Sequence, residues 1–212
     1  MVRICLLLTV IIALVFTSCH DNEDKKADKP QEVDTNKFLL TDSSWGKIRL
    51  ATTYKDLVDI FGESSIVNER ICGPECVDSL DVTIIKRGTP EEIIVYWHIN
   101  RYQQEIASLQ SYAEGAPYHT LQGLKIGSTL AELLKINKQH INFAGFGWDY
   151  GGYIHTYNGG TLENTPVQFR LELDEENSNA LQGDTELHSE MEEVKERLDK
   201  IRIAQIYLSF EN

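Results

Sequence analysis

The chain has 212 residues, a formal net charge of −13 and 42% hydrophobic residues, the composition of a globular protein with room for one proper core. That acidic balance excludes nucleic acid as a partner, since polyanions would be repelled and no Lys/Arg stripe interrupts it. Much of the excess lies in 19–37 and 174–199, leaving the part between closer to neutral.

Arg3 precedes an apolar run from Ile4 to Phe16, shorter than the roughly 20 residues that cross a bilayer as a helix. Phe16-Thr17-Ser18-Cys19 follows, and the arrangement resembles a bacterial lipoprotein signal ending in a lipobox, with Phe16 where leucine is usual. The resemblance implies cleavage of residues 1–18, diacylglycerol on the Cys19 sulfur and an acyl chain on its amine. Several acyl chains anchor stably where a single one does not. The implied address is the cell envelope, anchored to the outer membrane on its periplasmic side or at the cell surface. The alternative is an ordinary signal peptide with an incidental cysteine. Residues 19–40, with His20-Asp21-Asn22-Glu23-Asp24 and Pro30, read as the lipidated cysteine and a flexible acidic tether that lacks the apolar surface to fold. The early acids also resemble a surface-export tag, and a plain solvated spacer would look the same.

The remainder divides into 41–120 and 121–212 by an internal repeat. Residues 48–62 align with 124–137 at a constant offset of 76, placing apolar residues, a threonine and an acid in register. In each copy Thr53, or Ser128/Thr129, caps a helix whose apolar face is Leu57, Val58, Ile60 and Phe61, or Leu130, Leu133, Leu134 and Ile136. Gly62 and Asn137 stand where a helix end needs a left-handed residue. Strand signals follow at 66–71, 80–86, 93–99 and 106–112, then at 141–143, 153–157, 167–173 and 201–210. In the third, Val95, Trp97 and Ile99 alternate with Tyr96, His98 and Asn100, which predicts one core face and one wetter face. Helices leading antiparallel hairpins predict an α+β fold: two tandem helix-plus-hairpin repeats packed as one unit, with a continuous sheet and the helices on one face.

Cys5 leaves with the signal and Cys19 is committed to lipid, so Cys72 and Cys76 remain, around Gly73-Pro74-Glu75. Outside the cytoplasm such a pair predicts a disulfide closing a turn. Free thiols and a redox or metal role stay open, although the spacing is one residue longer than the thioredoxin type and no further zinc ligand lies nearby in sequence.

The densest local feature is Phe143-Ala144-Gly145-Phe146-Gly147-Trp148-Asp149-Tyr150-Gly151-Gly152-Tyr153. It reads in two ways. As a binding surface, Phe146, Trp148, Asp149, Tyr150 and Tyr153 offer flat rings and an acceptor to a sugar or a protein side chain. As scaffold, it is a bulged hairpin with Phe146 and Trp148 in the core and Asp149 capping a turn. By the offset its counterpart in the first copy is 69–76, where the cysteine pair sits, so the two copies are expected to stiffen one loop position by different means.

The last apolar stripe, Leu187, Met191, Val194 and Leu198, opposed by Glu186, Glu190, Glu193 and Glu196, predicts a surface helix over 185–199 capped by Asp184 or Thr185. It offers an acidic docking face for a cationic partner. No nucleophile elbow, phosphate-binding loop or zinc helix occurs, and no cofactor is implied. His20, His98, His119, His140, His155 and His188 are scattered, and pairing Asp149 with Glu172 as acid and base has little behind it.

The two helix-start segments resemble those of the tandem-repeat β-lactamase inhibitor proteins and the small lipoproteins of outer-membrane assembly. That resemblance implies the two-copy fold. The inhibitors carry a disulfide in each repeat, whereas 121–212 holds no cysteine, so no inhibitor residue carries over. Residues 123–127 and 145–152 also resemble a group of bacterial lipoproteins with this two-copy layout, which implies fold and address but no activity. Two functions stay open: a lipid-anchored, non-enzymatic module binding a protein or a glycan, and an envelope hydrolase using carboxylates or His98 and His155.

Overall fold

A computed structural model describes residues 36–73, 76, 78–174 and 179–210, within the compact unit Asp34–Asn212. Residues 1–35, with the segment read as a signal, Cys19 and most of the stretch read as a tether, lie outside the described residues. The fold is α+β. Its strands are β1 (Leu39–Thr41), β2 (Ser44–Trp45), β3 (Ile48–Arg49), β4 (Ile66–Cys72), β5 (Ser79–Ile85), β6 (Ile93–Trp97), β7 (Ile106–Ser111), β8 (His119–Thr120), β9 (Asn142–Ala144), β10 (Ile154–Thr156), β11 (Val167–Glu172), β12 (Glu186–His188) and β13 (Arg202–Ser209). The helices are α1 (Tyr54–Phe61), α2 (Leu130–Asn137) and the four-residue α3 (Glu192–Lys195). Folded structure therefore begins inside the stretch read as tether: Leu40 is buried in β1, which pairs antiparallel with β2 and parallel with β8.

The helices start where the threonines put them. Thr53 Oγ1 accepts from Asp56 N (3.3 Å) while Asp56 Oδ2 accepts from Thr53 N (2.8 Å); Thr129 and Glu132 repeat the arrangement at 3.2 and 2.8 Å. Such reciprocal capping satisfies two backbone donors that a helix start leaves without partners. The match extends outward. Arg49 N donates to Thr52 Oγ1, as Lys125 N does to Ser128 Oγ, and the first N–H of each helix donates to a carbonyl near the start of β7 or β13, Gln103 O or Ile201 O. The helix ends differ. Gly62 takes a positive φ after α1, but after α2 the left-handed residue is Lys138. Asn137 is one place too early for that role. It is fully buried, and its side chain donates to Gln139 O and Tyr157 O and accepts from Leu162 N, tying the helix end to the segment after β10.

The strands do not all join one sheet. Six form the order β11-β13-β7-β6-β5-β4, three form β10-β9-β12, and β3-β2-β1-β8 make a third sheet. The pattern β4-β5-β6-β7 is nevertheless mirrored by β9-β10-β11-β13 about the antiparallel β7/β13 pair, except that between β10 and β11 only one bridge, Tyr153 to Arg170, remains. Gly152 explains the break: it has φ 76°, and any Cβ there would overlap Leu171 O, so the chain turns tightly against β11 instead of continuing alongside it.

Leu57 of α1 and Leu130 and Leu133 of α2 share the main core with Ile85, Ile93, Val95, Leu109, Phe169, Ile206 and Leu208 of the six-stranded sheet. A smaller cluster, Val82, Ile84 and Ile94 with Ile71, Leu80 and Tyr96, contains no residue of either helix. Period-2 alternation sends these two sets to opposite faces. Val95 and Trp97 are buried as their alternation implies, but Ile99 is 89% exposed because the strand ends at Trp97 and a short 3-10 turn follows.

The helix expected over 185–199 does not form. Glu186–His188 is strand β12, paired with β9 through Leu187 and Phe143, and Ser189 exchanges bonds with Ile141, whose N–H donates to Ser189 Oγ at 3.0 Å. Helical turns survive only at Glu192–Lys195. The apolar stripe still does its work, since Leu187 and Val194 are buried and Met191 and Leu198 pack on the core, while the glutamates stay exposed. A partner strand decided the local conformation over a compatible helical pattern.

Candidate functional site

Each strand after the helices sends one set of side chains to the core and the other to the face that the helices leave open. On β11 that second set is Gln168, Arg170 and Glu172; on β13 it includes Gln205 and Tyr207; on β7 it includes Ser108 and Gln110, with Tyr112 just beyond. Register places Arg170 opposite Gln205 and Gln110 opposite Tyr207. Tyr96 of β6 continues the row. Of these, Gln110, Tyr112, Arg170, Glu172 and Gln205 floor an open cleft of about 820 Å³, and the 145–152 loop walls it with Trp148 and Asp149, next to Tyr153.

The loop is fixed from both sides. Gly145 N donates to Thr185 O (2.8 Å), Phe146 N to Leu181 O (2.8 Å) and Gly183 N to Phe146 O (2.9 Å), stitching it to the segment before β12. A Cβ at Gly145 would collide with Gly183 O, so the approach requires glycine. On the cleft side, Arg170 Nε donates to Gly151 O (2.7 Å) and Nη2 to Asp149 O (3.1 Å), and the guanidinium lies over the Tyr153 ring at 4.9 Å. Its planar fork suits two carbonyls and a ring face at once.

The two readings of the aromatic run separate residue by residue. Phe146 is buried against Phe143, as scaffold. Trp148 is only partly buried; its Nε1 donates to Gly145 O (2.8 Å), and its ring meets Tyr150 edge-on at 5.4 Å. From there a chain of rings runs Tyr150, Tyr153, Tyr207 at centroid spacings of 6.4 and 6.5 Å. Asp149 is exposed and contributes its carbonyl, not its carboxylate, to the Arg170 contact. Burial, and after it the neighbouring Tyr112 and Tyr153, push Tyr96 up to about 12, so its hydroxyl stays protonated and able to donate across the neutral range. Burial likewise raises Tyr207 and Tyr112.

Cys72 and Cys76 are joined as a disulfide, with Cα atoms 4.7 Å apart, in the turn between β4 and β5. The aromatic loop lies between β9 and β10, the corresponding hairpin position of the mirrored order. Among the other residues weighed for chemistry, His98 Nε2 stands 3.7 Å from Glu105, and His155 Nδ1 stands 3.9 Å from Glu186, neither of them lining the cleft. Asp149 and Glu172 do both line it. Among the described residues no group of three or more His, Cys, Asp or Glu side chains stands close enough to hold a metal ion.

Arg170, Gln110, Gln205, Tyr112 and Tyr207 were not singled out by sequence. Alternation along 167–173 places Arg170 on the wetter face, but nothing local says that this face meets the loop at 145–152. Comparison with protein-family models, with curated proteins and with solved structures finds no match.

Proposed function

We propose that this protein is a lipid-anchored, non-enzymatic binding module of the cell envelope, built from two tandem helix-plus-hairpin repeats and held by lipid on Cys19 at the outer membrane. The observation that carries the binding role is the cleft: a ring-lined, polar-floored concavity on the face of the sheet that the helices leave open, with a wall locked by Arg170. A pre-formed concavity with a few converging polar groups is the usual form of a recognition site. The repeat reading rests on the matched capping boxes at Thr53 and Thr129 and on the mirrored strand order. The anchoring reading rests on Arg3, the apolar run and Phe16-Thr17-Ser18-Cys19.

Two measurements test this. Labelling with a radioactive palmitate precursor should mark the wild-type protein and not Cys19→Ala; persistent labelling of the variant overturns the anchor. Affinity capture of the intact lipoprotein from its own membranes should retain an envelope component, protein or glycan, that Trp148→Ala loses while keeping its circular dichroism spectrum. Retention by a folded Trp148→Ala variant rejects the cleft as the site.

A further inference from the structure

We infer that the cleft takes a neutral polyhydroxylated ligand, a short segment of an uncharged oligosaccharide, held by the Gln205 and Gln110 carboxamides beneath an aromatic wall. The inference rests on the binding-module reading and names the class of ligand.

Gln205 carries it. The residue is only 6% exposed, it lines the cleft, and its side-chain amide makes no hydrogen bond among the described residues. Its polar atoms are not among the fully buried unpaired ones, so they reach the cleft, where a ligand hydroxyl can take the place of water. Being both donor and acceptor, a carboxamide matches a hydroxyl, which is also both. Gln110, one strand away on β7, lines the same cleft with a second carboxamide.

The charges point the same way. Arg170 would be the natural clamp for an anion, but its Nε and Nη2 are already spent on Gly151 O and Asp149 O. The carboxylates of Asp149 and Glu172 line the cleft and oppose an anionic ligand. A cation finds two carboxylates but also the Arg170 guanidinium in the same cleft, so neither sign of charge is favoured. What remains is polar floor and aromatic wall. Trp148 and Tyr112 supply flat faces against which the C–H faces of sugar rings pack, beside the Tyr153 ring that Arg170 covers. The size agrees, since about 820 Å³ falls in the range of sites for small ligands.

Isothermal titration of the soluble form from residue 20 onward, against neutral hexasaccharides of glucose, mannose, xylose and N-acetylglucosamine, tests the inference. Hexagalacturonate and a hexalysine peptide serve as charged controls. Saturable binding of at least one neutral hexasaccharide is expected, unchanged from low salt to about 500 mM, because no ion pair is involved. Gln205→Leu keeps the volume but removes the amide, and Tyr112→Ala removes a ring that is 57% exposed and so dispensable for folding. Each should weaken binding about tenfold or more at an unchanged melting temperature. The inference is overturned if no neutral hexasaccharide binds, if a charged control binds better, or if both folded variants bind as the wild type does. Should sugars fail while membrane capture still depends on Trp148, the cleft binds a protein and only the ligand class is wrong; if both fail, the binding reading falls too.

Discussion

Arg170 lies over the ring of Tyr153, its guanidinium carbon 4.9 Å from the ring centroid, and the two residues form the sole backbone bridge between β10 and β11. One contact thus joins the two sheets and braces the cleft wall, because the same guanidinium holds the carbonyls of Gly151 and Asp149. Arg170→Ala should cost about 1–2 kcal/mol, below the full value of two charge-assisted bonds because one lies in an exposed position. Arg170→Lys should recover little, a point charge being unable to reach both carbonyls and cover the ring. Hydrogen exchange reads the effect: the amides of Gly152 and Leu171 should exchange faster in both variants. Unchanged protection would mean that the loop is held by its other side alone.

Asn137 and Gly160 make a second obligatory pair. A Cβ on Gly160 would overlap the Asn137 carboxamide, which occupies the space to reach Gln139 O, Tyr157 O and Leu162 N. Gly160→Ala should therefore destabilise by roughly 2–4 kcal/mol despite its small size, and Asn137→Ala by a similar amount, since it leaves buried backbone groups unpaired. In the double variant the costs should fall short of additivity, because the clash and the lost bonds involve the same atoms. Urea unfolding of the four proteins measures this; simple additivity would show the two sites to be independent.

Why these features escape the sequence, while the helices do not, is a matter of range. The caps at Thr53 and Thr129 are local, each needing only an acid three residues on, so their position can be read directly. The strands after them also show in their own alternation. Asn137 looked like a helix-ending residue because two of its three polar partners, Tyr157 O and Leu162 N, lie 20 and 25 residues away. For the same reason 185–199 looked helical: Leu187, Met191, Val194 and Leu198 satisfy a helical stripe, and only the edge of β9, some forty residues earlier, makes Glu186–His188 a strand. The aromatic run was visible, but the cleft was not, since its floor comes from β7, β11 and β13.

Acid should loosen the fold through three carboxylates. Asp56 is lowered chiefly by the backbone bond from Thr53, and Asp81 by its bond from Arg70. For Glu91 burial works upward, but Lys86 and Lys37 together outweigh it and leave it lowered. A carboxyl whose folded value is depressed stabilises the fold above its unfolded value and loses that contribution as pH falls through the folded one. The melting temperature should thus drop as pH goes below the ordinary values of 4.5 and 3.8. Lys86→Met should lower it at neutral pH and flatten the acid limb; an identical limb in that variant would exclude the Glu91 cluster. At the alkaline end Tyr96, Tyr118 and Tyr157 are all raised, mainly by burial, so stability should fall as pH rises above 10 and the unfolded chain releases those protons first.

The Cys72–Cys76 disulfide should matter at one edge of the sheet only. It closes a loop of sequence separation 4 at the end of β4, an edge strand of the six-stranded sheet, where Gly73 N also donates to Asp78 O at 2.7 Å. Closing so short a loop restricts few unfolded conformations, and chain entropy assigns it about 2 kcal/mol at most. The cleft lies towards β11, at the other edge. Cys72→Ser with Cys76→Ser should therefore lower stability modestly and leave any cleft ligand bound as before. Mass spectrometry after alkylation without reductant should find both cysteines unmodified in the wild type; modification of both would show free thiols.

The matched helix starts allow the repeat to be tested as energetics rather than as shape. Thr53 and Thr129 each accept from the N–H three residues on and donate their own N–H to the acid there, with helices of 8 residues behind them. Thr→Ala at either should cost about 1 kcal/mol, and Thr→Ser, which keeps the acceptor, should cost much less. The positions share no partner, so the double alanine variant should lose the sum of the two. The first N–H of each helix is held by Gln103 O or Ile201 O near the start of β7 or β13, so the loss should register as faster exchange there as well as in the helix. A cost confined to one of the two caps would mean that the sequence repeat at offset 76 is not an energetic one.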